Sequence, residues 1–458
     1  AQDWESGKLQ ERVACLNRPG QSYALYLPSS FDPEKKWPVL FLFDAAARGA
    51  AGVEAFRTAA ERYGWILVGS NNSKNGPLEA CVEAALAVWA DARRRLPVDE
   101  QRVYAGGFSG GARIASIFPR LAGRGIAGVV GCGAGLQSGL KPEDLGAGSY
   151  FGLTGLSDFN YGEMKNLDLA FDPSGIPHRF LFFEGRHDWP AAASCLRAVG
   201  WLEVTSMKAG LRPKDEALAD EVIGRELEEA LSFEREGRVF WAADRLEAAG
   251  RLAAGLRDIP NLQARIDELR SRKEYAQFLA AEKKRDKRAE DFRSRFGRAF
   301  GPVESGALGG RDAVDAALRA MGIPFLKKDA KNKKTLEDRS LASRLLFDFL
   351  YNAQARASEL YGRGDLDRAA VYFDLAIEAC EEGLPWEIFL FYNRACVAAL
   401  MGDKKRALDF LGTAVDKGLS NAGILETDKD LDSIRDTDRF REILETARRS
   451  SRALPPTG

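Results

Sequence analysis

Arg102-Val103-Tyr104-Ala105-Gly106-Gly107-Phe108-Ser109-Gly110-Gly111-Ala112-Arg113-Ile114-Ala115-Ser116-Ile117-Phe118 is the stretch on which the fold turns. Residues 102–106 form a short apolar, strand-like run. From Ala112 the apolar residues Ala112, Ile114, Ala115 and Phe118 recur at three- and four-residue steps, the period of a helix. Between them Gly107, Ser109 and Gly111 satisfy G-x-S-x-G. A strand that turns this sharply into a helix forces the serine into a strained conformation. Any side chain at Gly107 or Gly111 would collide with the neighbouring strand or helix, so both must stay small. The turn also sets Ser109 at a helix N-terminus, where free N–H groups and the dipole favour a developing negative charge.

Outward from this turn, strands are expected at 22–27, 38–43, 65–69, 125–130, 150–154 and 179–183. Helices are expected near 53–63, 78–95, 112–121, 161–170 and 191–202. Strand and helix in alternation predict a doubly wound α/β fold, a mostly parallel sheet covered on both faces. After Thr205 the strand-like runs disappear, and Ala, Leu, Glu, Arg and Lys dominate, as in an all-α array. The pattern A-x6-G-x4-A-x3-[F/L]-x2-A occurs three times there. It reads Ala230, Gly237, Ala242, Leu246, Ala249; Ala357, Gly364, Ala369, Phe373, Ala376; and Ala395, Gly402, Ala407, Leu411, Ala414. Small alanines allow two antiparallel helices to approach closely, and glycine makes the turn between them. The spacing resembles the tetratricopeptide repeat, although copies two and three begin 38 residues apart, against ~34 in that family. The organisation expected is a catalytic domain over 1–205, a helical segment with one repeat-like pair over 206–300, and a repeat domain with a C-terminal cap over 301–458. The basic run at 327–334 is assigned no ligand.

A nucleophilic serine needs a base, and the chain has two histidines. His178 precedes the strand at 179–183, while His187 follows it. Ligands of open α/β sheets lie at the carboxyl ends of the strands. That puts His187 on the rim of Ser109 and His178 on the opposite one. The strand at 150–154 runs into Gly155-Leu156-Ser157-Asp158, which places Asp158 on the same rim to orient the imidazole. Glu163 and Asp188 are the rival carboxylates. The chain order Ser109, Asp158, His187 is that of α/β-hydrolases.

Residues 20–202 resemble the feruloyl-esterase, polyhydroxybutyrate-depolymerase and dienelactone-hydrolase branch of that superfamily. The resemblance lies in Tyr26-Leu27-Pro28, Trp37-Pro38-Val39-Leu40-Phe41-Leu42, Ser70-Asn71-Asn72-Ser73, the serine turn, Gly155–Asp158 and Gly185-Arg186-His187-Asp188-Trp189-Pro190. It implies a serine esterase acting on an aromatic or acetyl ester of a polysaccharide, or on a polyester. One departure stands out. Where that branch often carries His-Gly-Gly, this chain has Asp44-Ala45-Ala46-Ala47-Arg48-Gly49. The oxyanion donors would be the N–H of Gly110 and that of Ala45 or Ala46. Arg48 either braces the loop by pairing with Asp44 or faces an acidic group of the substrate. Asn71, Asn72 and Asn75 either bind a polar substrate or form turns, and Trp189 either lines the site or packs in the core. Of these, Arg48, Asn72 and Trp189 are the substrate contacts expected.

The 458 residues, 45% hydrophobic and 29% charged, describe an ordinary globular chain. A net charge of -1 offers no electrostatic basis for nucleic acid, and no apolar run is long enough to span a bilayer. Two histidines and scattered cysteines argue against a zinc site, and no motif calls for a cofactor. Cys380 and Cys396 fall on helices expected to be neighbours, as buried thiols or a bridge. A start at Ala-Gln-Asp-Trp fits an exported chain with its signal peptide removed. Two other readings remain: a degenerate hydrolase that acts as a protein-binding scaffold through its repeats, and a serine peptidase of the same fold.

Overall fold

The computed structural model describes residues 4–123, 125–384 and 386–453. Its sheet has eight strands: β1 (Leu9–Cys15), β2 (Arg18–Tyr26), β3 (Trp37–Asp44), β4 (Ile66–Ser70), β5 (Val98–Phe108), β6 (Gly128–Cys132), β7 (Tyr150–Gly155) and β8 (His178–Phe183). They lie in the order β1-β2-β4-β3-β5-β6-β7-β8. β2 runs antiparallel to both its neighbours, and every other pairing is parallel. This mostly parallel sheet with helices on both faces matches the α/β-hydrolase fold.

The side-chain period of two in β3 shows how the layers are made. Val39, Phe41 and Phe43 point into one core, with Ala85, Val88 and Trp89 of α2 (Leu78–Arg95) and Ile114, Ala115 and Phe118 of α3 (Gly110–Leu121). Leu40 and Leu42 point into the other, with Val53 and Phe56 of α1 (Gly49–Tyr63) and Cys195, Ala198 and Val199 of α5 (Ala192–Lys208). Helix α4 (Tyr161–Phe171) joins the first core through Met164. Because every strand of this central group is buried on both faces, its apolar residues run continuously, as a parallel sheet requires. β1 departs from the expectation, for the sequence signals no strand at Leu9–Cys15, where Gln10, Glu11 and Arg12 interrupt the apolar pattern. It is an edge strand, and charge is tolerated there.

The chain divides into two compact units, Ala1–Glu282 and Lys283–Gly458. The boundaries expected at 205 and 300 lie inside these units. In the first, α6 (Glu216–Arg235) and α7 (Val239–Ala253) are joined to the sheet and to α5 by ion pairs. Arg179 of β8, 4% exposed, donates two hydrogen bonds to Asp244 of α7, at 3.0 and 2.7 Å. Arg197 of α5 pairs with Glu226 and Glu229 of α6. Because Arg179 is buried, separating it from Asp244 would strand a charge, which commits the helix pair to the sheet.

The three copies of the alanine pattern each form a helix pair: α6 with α7 in the first unit, then Leu336–Gly362 with Leu366–Ala379 and Trp386–Leu400 with Lys404–Asp416 in the second. Gly237, Gly364 and Gly402 turn between the helices with φ of 73, 76 and 79°. A left-handed residue at a helix end favours glycine. The patterned alanines, with Leu246, Phe373 and Leu411, are buried. All six cysteines are buried free thiols, Cys380 and Cys396 among them. Among the described residues no helix is long and apolar enough to cross a membrane.

Replacing Asp244 by Ala strands Arg179 and is expected to cost about 3 kcal/mol in urea unfolding. Burial alone would raise the Asp244 carboxyl, but Arg179 and Arg245 outweigh it and hold the group well below the usual range. With the folded value below the unfolded one, the contribution is complete above about pH 4. It fades as pH falls further, so the gap between wild type and variant should narrow in acid.

Candidate active site

Every residue of the candidate site lies at the carboxyl edge of the sheet. β5 ends at Phe108 and α3 begins at Gly110, leaving Ser109 alone in the turn with φ 56° and ψ -124°. Its N–H is held by Cys132 O of β6 at 2.9 Å. The two motif glycines are required by close backbone approach. A Cβ on Gly107 would lie 2.2 Å from Gly111 O, and one on Gly111 would lie 2.1 Å from Phe43 O. The strained serine is thus locked between β3, β6 and its own helix.

His187, after β8, reaches Ser109 Oγ with Nε2 at 3.0 Å. Its Nδ1 lies 2.9 Å from each carboxylate oxygen of Asp158, which follows β7. With the imidazole proton on Nδ1, that N–H donates to Asp158 and the Ser109 hydroxyl donates to Nε2. Asp158 is 1% exposed and also accepts the N–H of Asn160 at 2.8 Å. The rival carboxylates are engaged elsewhere. Glu163 forms a two-pronged pair with Arg113 and accepts the N–H of Gly135. Asp188 accepts the N–H of Trp189 at 2.8 Å. His178, at the first residue of β8, sits on the other rim with Nδ1 2.8 Å from Ile176 O.

Sequence reasoning missed how the imidazole is held. Its ring packs on Phe159, with centroids 4.1 Å apart, and on Phe108, at 4.6 Å. Gly133, with φ 63°, backs the pair: a Cβ there would lie 2.9 Å from Asp158 Oδ2 and 3.2 Å from His187 Nδ1. Asn160 Nδ2 donates to Gly133 O at 2.7 Å. Phe108 and Phe159 adjoin Ser109 and Asp158 in sequence, which was the available signal; Gly133 gave none.

The loop at 44–48, expected to carry an oxyanion donor, takes a definite form. Ala46 N–H is given to Asp44 Oδ1 at 2.7 Å and Ala47 N–H to Asp44 O at 3.2 Å. Of the expected donors, Ala46 is therefore occupied. Ala45 N–H and Gly110 N–H have no acceptor among the described hydrogen bonds. The three expected substrate contacts also have partners within the protein. Arg48 forms a two-pronged pair with Asp44, both contacts at 3.0 Å, which is the bracing alternative. Asn72 accepts from Ser22 N–H and donates to Gly20 O, so it fastens the end of β4 to β2. Trp189 donates from Nε1 to Asp44 Oδ2 at 2.7 Å and packs on Phe56 and Phe108. Asn75, by contrast, lies against the turn: a Cβ on Gly110 would meet its Oδ1 at 1.8 Å. A cavity of about 290 Å³ opens there, lined by Asn75, Lys74, Gly110, Arg113 and Gln137.

Among the described residues, one group has metal-ligand spacing: Cys396, Asp428 and Asp430, in the second unit. The hydroxyls of Tyr392 and Tyr361 already donate to its two carboxylates.

No protein-family model matches this chain, and no curated protein matches it. Solved structures do. A ferulic acid esterase shares 16% identity, covering 44% of this chain and 99% of its own, with a TM-score of 0.37. An S-formylglutathione hydrolase from Staphylococcus aureus shares 13%, covering 44% and 99%, with a TM-score of 0.34. An esterase from Pyrobaculum calidifontis shares 13%, covering 44% and 87%, with a TM-score of 0.35. Likeness this distant adds nothing to the residue roles, which rest on the geometry.

Gly111→Ala is expected to destabilise the first unit by about 3 kcal/mol, read as a lower midpoint in urea, because backbone must move. Gly133→Ala should leave the circular dichroism spectrum unchanged while lowering turnover of an aryl ester about 100-fold, since it shifts the imidazole.

Proposed function

We propose that the first unit is a serine hydrolase that cleaves a carboxylic ester through an acyl-enzyme. The observation that carries this reading is the chain of contacts Ser109 Oγ, His187 Nε2, His187 Nδ1 and Asp158, each step within 3.0 Å. As Ser109 Oγ forms its bond to the substrate carbonyl carbon, its proton passes to His187 Nε2. The carbonyl oxygen gains the negative charge, and the N–H groups of Gly110 and Ala45 are the donors available to it. Asp158 stabilises the imidazolium. When the tetrahedral centre collapses, the C–O bond to the alcohol breaks and His187 returns the proton to the leaving oxygen. Water then repeats the sequence on the acyl-Ser109 ester, with His187 again taking and returning a proton, and frees the acid.

Two considerations favour an ester over a scaffold role. A degenerate site has no reason to keep Ser109 strained and hydrogen-bonded to a base, and the replaced oxyanion loop still leaves Ala45 N–H unoccupied. For the substrate, the resemblance in sequence favours an aromatic or acetyl ester linked to a polysaccharide, or a polyester. The alanine-patterned helix pairs, read as tetratricopeptide-like, would supply a surface for a protein or peptide partner.

Wild type should be labelled by a fluorophosphonate, and Ser109→Ala should not be. On aryl acetates, Asp158→Asn should lower kcat on the order of 10⁴-fold, because the imidazole loses its correct tautomer. An unlabelled wild type would leave the scaffold reading in its place. A panel of acetyl, feruloyl and longer-chain esters, with a peptide amide as control, distinguishes esterase from peptidase.

A further inference from the structure

The loop at 44–48 has no side chain able to shape it apart from Asp44 and Arg48. Ala45, Ala46 and Ala47 contribute only backbone, yet Ala47 is held at φ 61°, a left-handed conformation that favours glycine. Something outside the alanines must fix the loop. Asp44 ends β3, is 1% exposed, and its carboxylate accepts five hydrogen bonds. Oδ1 takes Ala46 N–H at 2.7 Å, Arg48 N–H at 3.3 Å and Arg48 Nε at 3.0 Å. Oδ2 takes Arg48 Nη2 at 3.0 Å and Trp189 Nε1 at 2.7 Å.

These contacts act on particular peptides. The peptide joining Asp44 to Ala45 has its carbonyl held by Ala47 N–H. The next peptide is pinned at both ends, Ala45 O by Asn75 N–H at 2.7 Å and Ala46 N–H by the Asp44 carboxylate. Of the three alanine N–H groups, that of Ala45 alone has no acceptor among the described hydrogen bonds. The other oxygen of the same carboxylate holds Trp189, two residues after His187. Trp189 and His187 both pack on Phe108, the residue before the nucleophile.

We propose that Asp44 is a positioning residue, whose buried carboxylate ties the loop carrying the Ala45 N–H to the loop carrying His187, so that oxyanion donor and general base keep a fixed separation. The inference rests on the ester-hydrolase reading. It explains how a loop of alanines can serve where the branch it resembles often carries His-Gly-Gly: side-chain hydrogen bonds impose the shape that glycine would adopt freely. Arg48 contributes by neutralising the carboxylate, which would otherwise be a buried unpaired charge.

The test uses the full chain, p-nitrophenyl acetate turnover, and the rate of fluorophosphonate attachment to Ser109 followed by intact mass. Asp44→Asn offers Arg48 and Ala46 a weaker, partly reversed set of contacts. Its kcat and phosphonylation rate should each fall about 100-fold, as expected for a displaced oxyanion donor, with KM within about threefold. Trp189→Phe, which removes the N–H and keeps an aromatic ring, should lower kcat about 10-fold, and the double variant should be no slower than Asp44→Asn alone. A structural role alone would lower the melting temperature without this split between kcat and KM. An Asp44→Asn protein that phosphonylates as fast as wild type overturns the inference, as do effects of the two variants that simply multiply. If Asp44→Asn does not fold, Trp189→Phe decides, and an unchanged kcat there overturns it. A wild type that takes no label at Ser109 sinks the hydrolase reading and the inference together, whereas a labelled wild type with an indifferent Asp44→Asn sinks the inference alone.

Discussion

A turn that no ordinary residue adopts willingly holds the site together. Ser109 sits at φ 56° because β5 must stop and α3 must start with nothing between them. The position is kept by backbone crowding, with Gly111 against the Phe43 carbonyl and Gly107 against the Gly111 carbonyl. From that constraint follow the exposure of the hydroxyl on the carboxyl rim, the direction of the Gly110 N–H, and the point that the imidazole must reach. Strain of this kind survives only where the surroundings over-determine it. Here two cores, one on each face of β3, supply the rigidity.

Much of this was legible beforehand, and for identifiable reasons. Seven strands and five helices of the sheet layers are legible because a two-faced parallel sheet writes itself as continuous apolar runs separated by amphipathic stretches. Ser109, Asp158 and His187 stand out in the sequence because each follows a strand, and strand ends mark the ligand side of such sheets; the structure brings their side chains together. β1 was not found, since an edge strand carrying Gln10, Glu11 and Arg12 has no such signature. The glycine turns of the helix pairs were readable because alanine and glycine recur at fixed intervals.

What escaped were relations between residues far apart in sequence. Nothing in the string says that Trp189 donates to Asp44, 145 residues earlier, or that Asn72 fastens two strands. Polar and aromatic side chains on the carboxyl rim of a sheet look alike in sequence whether they face a ligand or hold a loop. Which of the two they do depends on hydrogen-bond partners. The association of α6 and α7 with the sheet was hidden likewise, for Arg179, Arg197, Glu226 and Asp244 are unremarkable charges until the fold pairs them.

The central claim is covalent chemistry at one oxygen, and an acyl group caught there tests it most directly. A rapid acid quench during turnover of an aryl acetate, followed by peptide mapping, should find acetyl on the peptide that contains Ser109 and on no other serine. Turnover that persists with that peptide always unmodified, and with acetyl elsewhere or nowhere, would contradict the account.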